Sequence, residues 1–352
     1  MPDAKGRRYG RIRGSTITLA HGSGGRAMRD LIDDVFLSAF GSGPIVEQDD
    51  QARLQLAELL RAGDRLAFTT DSFVIDPIFF PGGDLGTVAI NGTINDLAVG
   101  GATPVALSAA MIVEAGLPVD DLRRIAASMA ETARFAGVPI VTGDTKVVDR
   151  GAADKLFITT TGIGVILAGR ELGPQRIQAG DAILVNDTIG NHSAAVMAAR
   201  GDLKLATTLR SDCRSLHRLV EALLDVAPNT RAIRDATRGG VATVLVEFAQ
   251  SSGLGLRIEE ERLPVSEPVR GMAEILGLDP LYLANEGVFG AVVPAEEADA
   301  VPSRLASLAG GAAAAIIGEV TSDHSGEVVM TSLFGGERLI DMLDGDQLPR
   351  IC

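Results

Sequence analysis

The sequence predicts an α+β protein made of two domains of similar size. Stretches with the apolar spacing of strands and of helices are mixed along its 352 residues, without a continuous β-α-β series. A turn-rich segment at 169–180 interrupts this pattern, which then restarts. Because 46% of the side chains are apolar, each half can bury a core of its own. These observations argue against a TIM barrel and against a plain Rossmann fold.

The first half begins with a helix, predicted over 26–40 by apolar residues at helical spacing. A helix of small residues follows Asp84, which is a candidate N-cap, and an amphipathic helix covers 120–138. Short β-favouring runs predict four strands, at 64–70, 104–114, 139–148 and 155–167. We therefore place an N-terminal domain at 1–168.

The second half repeats the mixture of elements. Helices are predicted at 192–201 and 215–226, and the segment 235–253 is predicted to be a polar turn that enters a helix. Extended segments are predicted at 182–187, 254–265, 287–293, 314–320 and 326–332. We place the second domain at 169–340 and expect 341–352 to be a flexible C-terminal tail.

Composition excludes several classes of protein. The net charge of −14 argues against a nucleic-acid partner and against attraction to an anionic membrane. The two cysteines, Cys213 and Cys352, form no C-x-x-C pair, so neither a disulfide framework nor a zinc knuckle is expected. No apolar run reaches the roughly 18 residues of a membrane span. A cytoplasmic protein is therefore expected.

Polar residues with short side chains cluster where the strands of the first half are predicted to end. They lie at 21–25, 49–50, 69–72, 81–84, 95–96 and 143–146. A glycine-rich loop entering a helix presents backbone N–H groups to an anion, although the spacing is not that of a P-loop. Aspartates are hard ligands suited to Mg²⁺, and Lys146 is placed to neutralise charge on a transferred phosphoryl group. The first half therefore predicts a site for a nucleotide with Mg²⁺.

Each of these residues also has an ordinary structural explanation. Asp84 before a helix is an N-cap by default, and Asp71 and Asp144 are residues that favour turns. His21 beside glycines fits a surface loop. Glu286, which precedes a predicted strand, fits a solvated rim.

Seven motifs distributed along the chain, taken together, resemble the HypE family of hydrogenase maturation factors. The motifs are "HGSGG", "TTDSFVIDPIFFPGGDLG", "NGTINDLAVGGATP", "VTGDTKVV", "DATRGG", "NEG" and the terminal "PRIC". The family belongs to a superfamily with aminoimidazole ribonucleotide synthetase, selenophosphate synthetase and thiamine-monophosphate kinase. The phosphate-site motifs are shared across that superfamily, whereas "PRIC" specifies this family.

The resemblance implies a fold and an activity. The implied fold has an N-terminal domain whose strands form a half-barrel with a second copy in a homodimer, and a C-terminal α/β domain. The implied activity is ATP-dependent dehydration of a carbamoyl group carried on Cys352, which yields a protein thiocyanate. The implied partners are the carbamoyltransferase HypF and the HypC–HypD scaffold, to which cyanide passes for the iron of [NiFe]-hydrogenase.

The resemblance also implies roles for single residues. Cys352 is the covalent carrier, Glu286 the base and Lys146 the stabiliser of phosphate charge, with His21 beside them in the catalytic set. The implied metal ligands are Asp71, Asp96 and Asp144. The implied nucleotide contacts are Gly22, Ser23, Gly24, Gly25, Asp50, Asp84 and Asn95.

Two other interpretations remain open. Another ATP-using enzyme of the superfamily shares the phosphate-site motifs but does not need a terminal thiol. Selenophosphate synthetase is disfavoured because its reactive residue lies near the N-terminus, whereas the first cysteine of this chain is Cys213. A non-catalytic docking protein would use "PRIC" only as a recognition tail.

Overall fold

A computed structural model of the chain describes residues 10–41, 51–201, 208–345 and 351. Two of the predicted site residues, Asp50 and Cys352, lie outside these described residues. The described chain forms two main sheets, one of four strands in the first half and one of seven strands in the second. The predicted α+β class is confirmed, and the four-stranded sheet is open rather than closed into a barrel.

The first half contains five helices and six strands among its described residues. The helices are α1 (Arg26–Leu31), α2 (Ser38–Phe40), α3 (Leu56–Ala62), α4 (Leu85–Val99) and α5 (Val119–Ala136), with a π-turn joining α1 to α2. The strands are β1 (Arg65–Phe73), β2 (Phe79–Phe80), β3 (Gly83–Asp84), β4 (Ala102–Glu114), β5 (Ile140–Val148) and β6 (Leu156–Ile166). The four-stranded sheet has the order β1-β6-β4-β5, in which only β4 and β5 run parallel.

Helices α4 and α5 cover one face of this sheet and leave the other face open. Because side chains alternate between the two faces of a strand, every second residue of β1 points away from the helices. Phe68 is 72% exposed and Leu66 is 59% exposed on that side, and Ile112 of β4 shares it. We call this surface, formed by the outward residues of β1, β4, β5 and β6, the open face.

Helix α4 lies between the two halves of the molecule. Its residues are small and apolar, and nearly all are buried because the sheet packs on one side and α7 and β8 pack on another. Asp84 caps its N-terminus, where Oδ1 accepts from the Thr87 backbone N–H at 2.8 Å. The same oxygen accepts from Ser128 Oγ of α5 at 2.7 Å, so the cap also joins the two helices.

The second half contains six helices and seven strands among its described residues. The helices are α6 (Asn191–Arg200), α7 (His217–Val226), α8 (Gly240–Ser252), α9 (Glu267–Leu276), α10 (Ala295–Ala298) and α11 (Ala300–Ala306). The strands are β7 (Ala182–Val185), β8 (Ala232–Asp235), β9 (Gly255–Glu259), β10 (Phe289–Val293), β11 (Ala315–Thr321), β12 (Val328–Thr331) and β13 (Glu337–Ile340). The sheet order is β13-β12-β9-β11-β7-β10-β8. The first sheet ends at Ile166 and the second begins at Ala182, and the segment 169–180 lies between them.

Several sequence-based expectations about single elements are wrong. Helices α3, α9, α10 and α11 and strand β13 were not predicted, and the extended segment at 254–265 contains a 3₁₀ turn at Glu260–Arg262. The aspartates expected at strand ends lie elsewhere. Asp71 and Asp144 are inside β1 and β5, and Asp96 is inside α4. Polar residues within a strand of a half-exposed sheet break the apolar run without ending the strand. None of the described helices is long and apolar enough to cross a membrane.

Candidate functional site

A group of carboxylates lies where β1 faces α4. Thr69 Oγ1 of β1 donates to Asp96 Oδ2 of α4 at 2.8 Å, and Thr93 Oγ1 of α4 donates to Asp71 Oδ2 of β1 at 3.1 Å. Each element therefore supplies one aspartate and the threonine that orients the other aspartate. Residues two apart in a strand point to the same face, and residues three apart in a helix do so as well. The threonine and aspartate of β1 therefore both face the threonine and aspartate of α4. The structure thus brings together two of the three predicted metal ligands.

Asp235, at the end of β8, joins these two aspartates, and we call the three residues the acidic cluster. Burial and the charge of Asp96 raise the pKa of Asp71 to about 6. Burial, followed by the charges of Asp96 and Asp71, raises the pKa of Asp235 to about 7. Asp71 and Asp235 therefore ionise less readily than exposed aspartates, and a nearby cation would favour their ionised forms.

Asp235 and Arg238 were not singled out from the sequence, although both lie in the quoted motif "DATRGG". Burial and neighbouring carboxylates raise the pKa values of Asp71 and Glu286, and the positive charge of Arg238 offsets part of both increases. Arg238 therefore lies near both carboxylates. Gly240 has a φ of +61°, and a Cβ there would lie 2.3 Å from the Leu281 carbonyl oxygen. The turn that presents Arg238 thus requires glycine.

Glu286 lies in the interior and is not on a solvated rim. It is 1% exposed, and neither carboxylate oxygen has a hydrogen-bond partner. Its backbone is held in place, since its N–H donates to Asp212 Oδ2 at 3.1 Å and its carbonyl accepts from the Arg214 N–H at 3.1 Å. Burial, followed by the charge of Asp212, raises the pKa of Glu286 well above its usual value. A buried carboxyl with unused oxygens is the arrangement expected of a general base or acid.

Cys213 lies beside Glu286. Asn91 Nδ2 donates to its Sγ at 3.5 Å. Burial and the charge of Glu286 raise the pKa of the Cys213 thiol well above its usual value. Since the thiolate is the nucleophilic form, Cys213 is poorly suited to attack an electrophile.

Asn95 and Asp84 were predicted to contact the nucleotide, and in the structure both side chains make hydrogen bonds within the fold. Asn95 is buried in α4, where its Nδ2 donates to the Arg214 carbonyl and its Oδ1 accepts from the Leu216 N–H at 2.7 Å. It therefore fastens α4 to the segment that leads into α7. Asp84 is the N-cap already described, as the alternative explanation held.

The predicted phosphate loop, 21–25, lies along β5. A Cβ on Gly22 would lie 2.9 Å from the Val147 backbone nitrogen, so only glycine allows this approach. His21 is buried and its Nδ1 accepts from the Thr18 N–H at 3.0 Å, which closes a turn. Ser23, Gly24 and Gly25 follow at the N-terminus of α1, and all three are exposed.

Asp144 and Lys146 lie on the exposed side of β5, because Thr145 and Val147 between and beside them point into the core. They pair with Ala110 and Ile112 of the open face. Strands β1 and β5 are the two edges of the sheet, about 14 Å apart at three strand spacings. Within one chain, the loop, Asp144 and Lys146 are therefore separate from Asp71 and Asp96. Among the described residues no three carboxyl, imidazole or thiol groups lie close enough to hold a metal ion alone.

Ile351, the last residue that the structure describes, packs inside the molecule. Ile351 is buried and belongs to the same apolar cluster as Val196 and Ala284. Its carbonyl oxygen lies 2.6 Å from His192 Nε2. A cavity of about 290 Å³ adjoins Ile351 and extends to Arg238. Ala284 precedes the buried Glu286 by two residues, so Ile351 shares an apolar cluster with the segment that carries the candidate base.

Known proteins resemble the chain over nearly its whole length. The AIR synthase related protein N-terminal and C-terminal domain models match residues 48–166 and 178–331. The chain is 54% identical to the carbamoyl dehydratase HypE of Rhodobacter capsulatus, over 97% of this chain and 99% of that protein. It is similar to the crystal structure of the hydrogenase maturation protein HypE in complex with ATP, with a TM-score of 0.90 and 47% identity over 96% of this chain and 100% of that one.

A second solved structure that resembles the chain contains a partner. It is the crystal structure of a HypE–HypF complex, with a TM-score of 0.77 and 43% identity over 89% of this chain and 99% of that one. Both the family models and the high identity over nearly the whole length identify the same group of proteins. The chain therefore belongs to the HypE family of carbamoyl dehydratases, within the AIR synthase related proteins.

Proposed function

We propose that the protein dehydrates a carbamoyl group on the thiol of Cys352 to a thiocyanate, with conversion of ATP to ADP and phosphate. The observation that carries the proposal is the seat of Ile351, the residue directly before Cys352. This residue is buried beside the segment that holds Glu286. Support also comes from the ATP complex and the carbamoyl dehydratase name of similar proteins.

The chemistry follows from the poor leaving ability of an amide oxygen. The carbamoyl oxygen attacks the γ-phosphorus of ATP, the bond to ADP breaks, and the oxygen becomes a phosphate ester. Removal of N–H protons and departure of phosphate then leave S–C≡N on the tail. Glu286 is the proposed acceptor of an N–H proton of the carbamoyl group. Its side chain is buried, its carboxylate oxygens have no hydrogen-bond partner, and its backbone is held by hydrogen bonds on both sides.

Asp71 and Asp96 are the proposed holders of Mg²⁺. Two oriented carboxylates without a third protein ligand suit Mg²⁺, which usually keeps waters and takes its other oxygens from substrate phosphates. The raised pKa of Asp71 fits this role, because burial and a neighbouring carboxylate disfavour its ionised form when no cation balances the charge. When held by Asp71 and Asp96, Mg²⁺ would supply positive charge that stabilises the phosphate groups of the nucleotide.

Asp71→Asn and Asp96→Asn are expected to lower ATP turnover by about tenfold or more, because each change removes an anionic ligand at nearly constant volume. Turnover is measured against Mg²⁺ concentration, and the variants should need more Mg²⁺. Asp225→Asn, an exposed aspartate paired with Arg304, is the matched control and should behave like the wild type. An unchanged Mg²⁺ requirement in both cluster variants would contradict the proposal.

A symmetric homodimer through the open face is part of the proposal. The exposed apolar side chains of Leu66, Phe68 and Ile112 would lose water on pairing. Asp144 and Lys146 lie on the same face, so their predicted roles at the ATP site depend on the second copy.

Phe68→Lys should convert the dimer to a monomer at micromolar concentration, because a charged side chain would replace a 72% exposed ring at the contact. Sedimentation velocity measures this. Phe334→Lys, at the tip of the turn between β12 and β13 and 99% exposed, is the control and should leave the mass unchanged. A wild type that sediments only as a monomer would rule out the dimer.

HypF is the proposed source of the carbamoyl group and the HypC–HypD complex the proposed acceptor of cyanide. The HypE–HypF complex of a similar protein supports the first of these. The test of the whole proposal is the intact mass of the protein after incubation with HypF, carbamoyl phosphate and ATP. A docking protein without catalysis would acquire no adduct on its tail.

A further inference from the structure

His192 is the one buried histidine in contact with the described end of the tail. It lies in the first turn of α6 and has no solvent exposure. The edge of its ring meets Phe80, with ring centroids 5.4 Å apart at 86°. Its two ring nitrogens lie 2.8 Å from Ser211 Oγ and 2.6 Å from the Ile351 carbonyl oxygen. The side chain thus has two polar contacts in an otherwise apolar setting.

These contacts determine which nitrogen carries the proton. A carbonyl oxygen can only accept, so Nε2 must be the N–H that donates to Ile351. In the neutral ring Nδ1 is then the acceptor, and the hydroxyl of Ser211 donates to it. Burial keeps the ring neutral, since it lowers the pKa of His192 to about 4. The Ile351 carbonyl therefore sets the tautomer, and the Ser211 hydroxyl satisfies the other nitrogen and holds the ring in place.

Ser211 also connects this contact to the candidate base. Its Oγ accepts from the Cys213 N–H at 3.1 Å, which closes a turn over Asp212. The carboxylate of Asp212 accepts from the Glu286 N–H at 3.1 Å. Segment 211–214 is thus bonded at one end to the histidine that holds the tail and at the other to the backbone of Glu286.

The N-terminal domain fixes the position of Ser211. The Ser211 N–H donates to the Pro81 carbonyl at 2.8 Å. Gly82 has a φ of +97°, and a Cβ on it would lie 2.6 Å from the Ser211 nitrogen. The "PGGD" motif therefore packs against Ser211 by backbone contact, and the segment cannot shift freely.

We propose that His192, held in orientation by Ser211, is a positioning residue that keeps the penultimate carbonyl of the tail in register with Glu286. The role rests on the proposed function, because it aligns the substrate carried on Cys352 with the base. His192 does not touch the reacting atoms in this scheme. By holding this carbonyl, His192 reduces the number of conformations that the tail can adopt, so less conformational entropy is lost when the substrate aligns with Glu286.

Three variants and a control test this. His192→Leu removes the donor, His192→Gln keeps a donor and an acceptor, and Ser211→Ala removes the hydroxyl that is bonded to Nδ1. His324→Asn, on an exposed loop, is the control. The first readout is the alkylation rate of the C-terminal peptide by iodoacetamide, followed by peptide mass. This readout does not depend on carbamoyl chemistry. The second readout is the rate of conversion of the carbamoyl adduct to the cyano adduct, with ATP affinity measured alongside.

His192→Leu should speed alkylation of the C-terminal peptide and slow conversion by about tenfold each, the factor that corresponds to one buried hydrogen bond. Ser211→Ala should act in the same direction, His192→Gln should restore most of both rates, and ATP affinity should stay within about twofold. If His192→Leu shows the alkylation rate and the conversion rate of the wild type, the proposal is overturned. It is also overturned if His192→Leu loses ATP affinity and His192→Gln does not restore it, because that result would show that the side chain only packs. If the wild type forms no cyano adduct, the proposed function fails, and the alkylation rates still decide whether His192 holds the tail.

Discussion

Replacing Cys352 with alanine is expected to abolish both the carbamoyl and the cyano adduct while folding and ATP binding stay intact. The thiol is the only proposed attachment point, so no other group can take over its role. A terminal side chain contributes little packing, and its loss should change the free energy of unfolding by less than about 0.5 kcal/mol. Intact mass should show the wild type gaining roughly 43 Da on loading and roughly 25 Da after ATP is added, and the variant gaining neither.

Cys213→Ala is the matched control, since it removes the other thiol. Cys213 is half-buried near Glu286, and its raised pKa leaves little thiolate at neutral pH. The variant should therefore acquire both adducts on the C-terminal peptide. An adduct on Cys213 in the wild type, or a cyano group in Cys352→Ala, would show that the tail does not carry the substrate.

Glu286→Gln is expected to stop dehydration and leave loading unchanged, so that the carbamoyl form accumulates in the presence of ATP. Gln keeps the volume of a side chain that is 1% exposed but cannot accept the proton. General-base catalysis contributes about 100-fold or more, which sets the expected fall in rate. The measurement is the ratio of carbamoyl to cyano adduct over time by intact mass.

The pH dependence supplies a second test of Glu286. Burial raises its pKa, so the ionised form that acts as a base becomes more abundant as pH rises. The wild-type conversion rate should therefore increase with pH and level off above that pKa, whereas the residual rate of Glu286→Gln should lack this step. Glu274→Gln, on the exposed side of α9, should retain the wild-type profile. Normal conversion by Glu286→Gln would assign the base to another residue.

The acidic cluster shows which features of a site the sequence predicts and which it does not. The types of side chain were evident from the sequence, since aspartates and threonines recur in the first half. Their grouping was not evident. Asp71 and Asp96 meet because a strand and a helix cross, while Asp144 points to the opposite side of the same sheet. Asp235 arrives from the other half of the chain. Spacing along a chain carries no information on which separate elements cross.

Burial was the other property that sequence patterns could not supply. Asp84 had two explanations from the sequence, and the structure shows the hydrogen bonds to Thr87 and Ser128 that make it a helix cap, while its predicted contact with the nucleotide stays a prediction. Glu286 fitted a solvated rim, yet it lies in the interior because "NEG" enters β10 between the two halves. His192 attracted no notice at all, because a histidine in a helix has no local pattern that distinguishes a core residue from a functional one.

The order of residues was sufficient for the family, the α+β class and the chemical groups available, because motifs and periodicity are local properties of the chain. The seven motifs identified the family before any contact was known. Which groups share a site became known only from the folded chain. Asp235 reaches Asp71 through the packing of α4 against β8, and the carbonyl of Ile351 reaches His192 across 159 positions of sequence. Such contacts depend on the packing of whole elements, where burial also sets the charge state of each group.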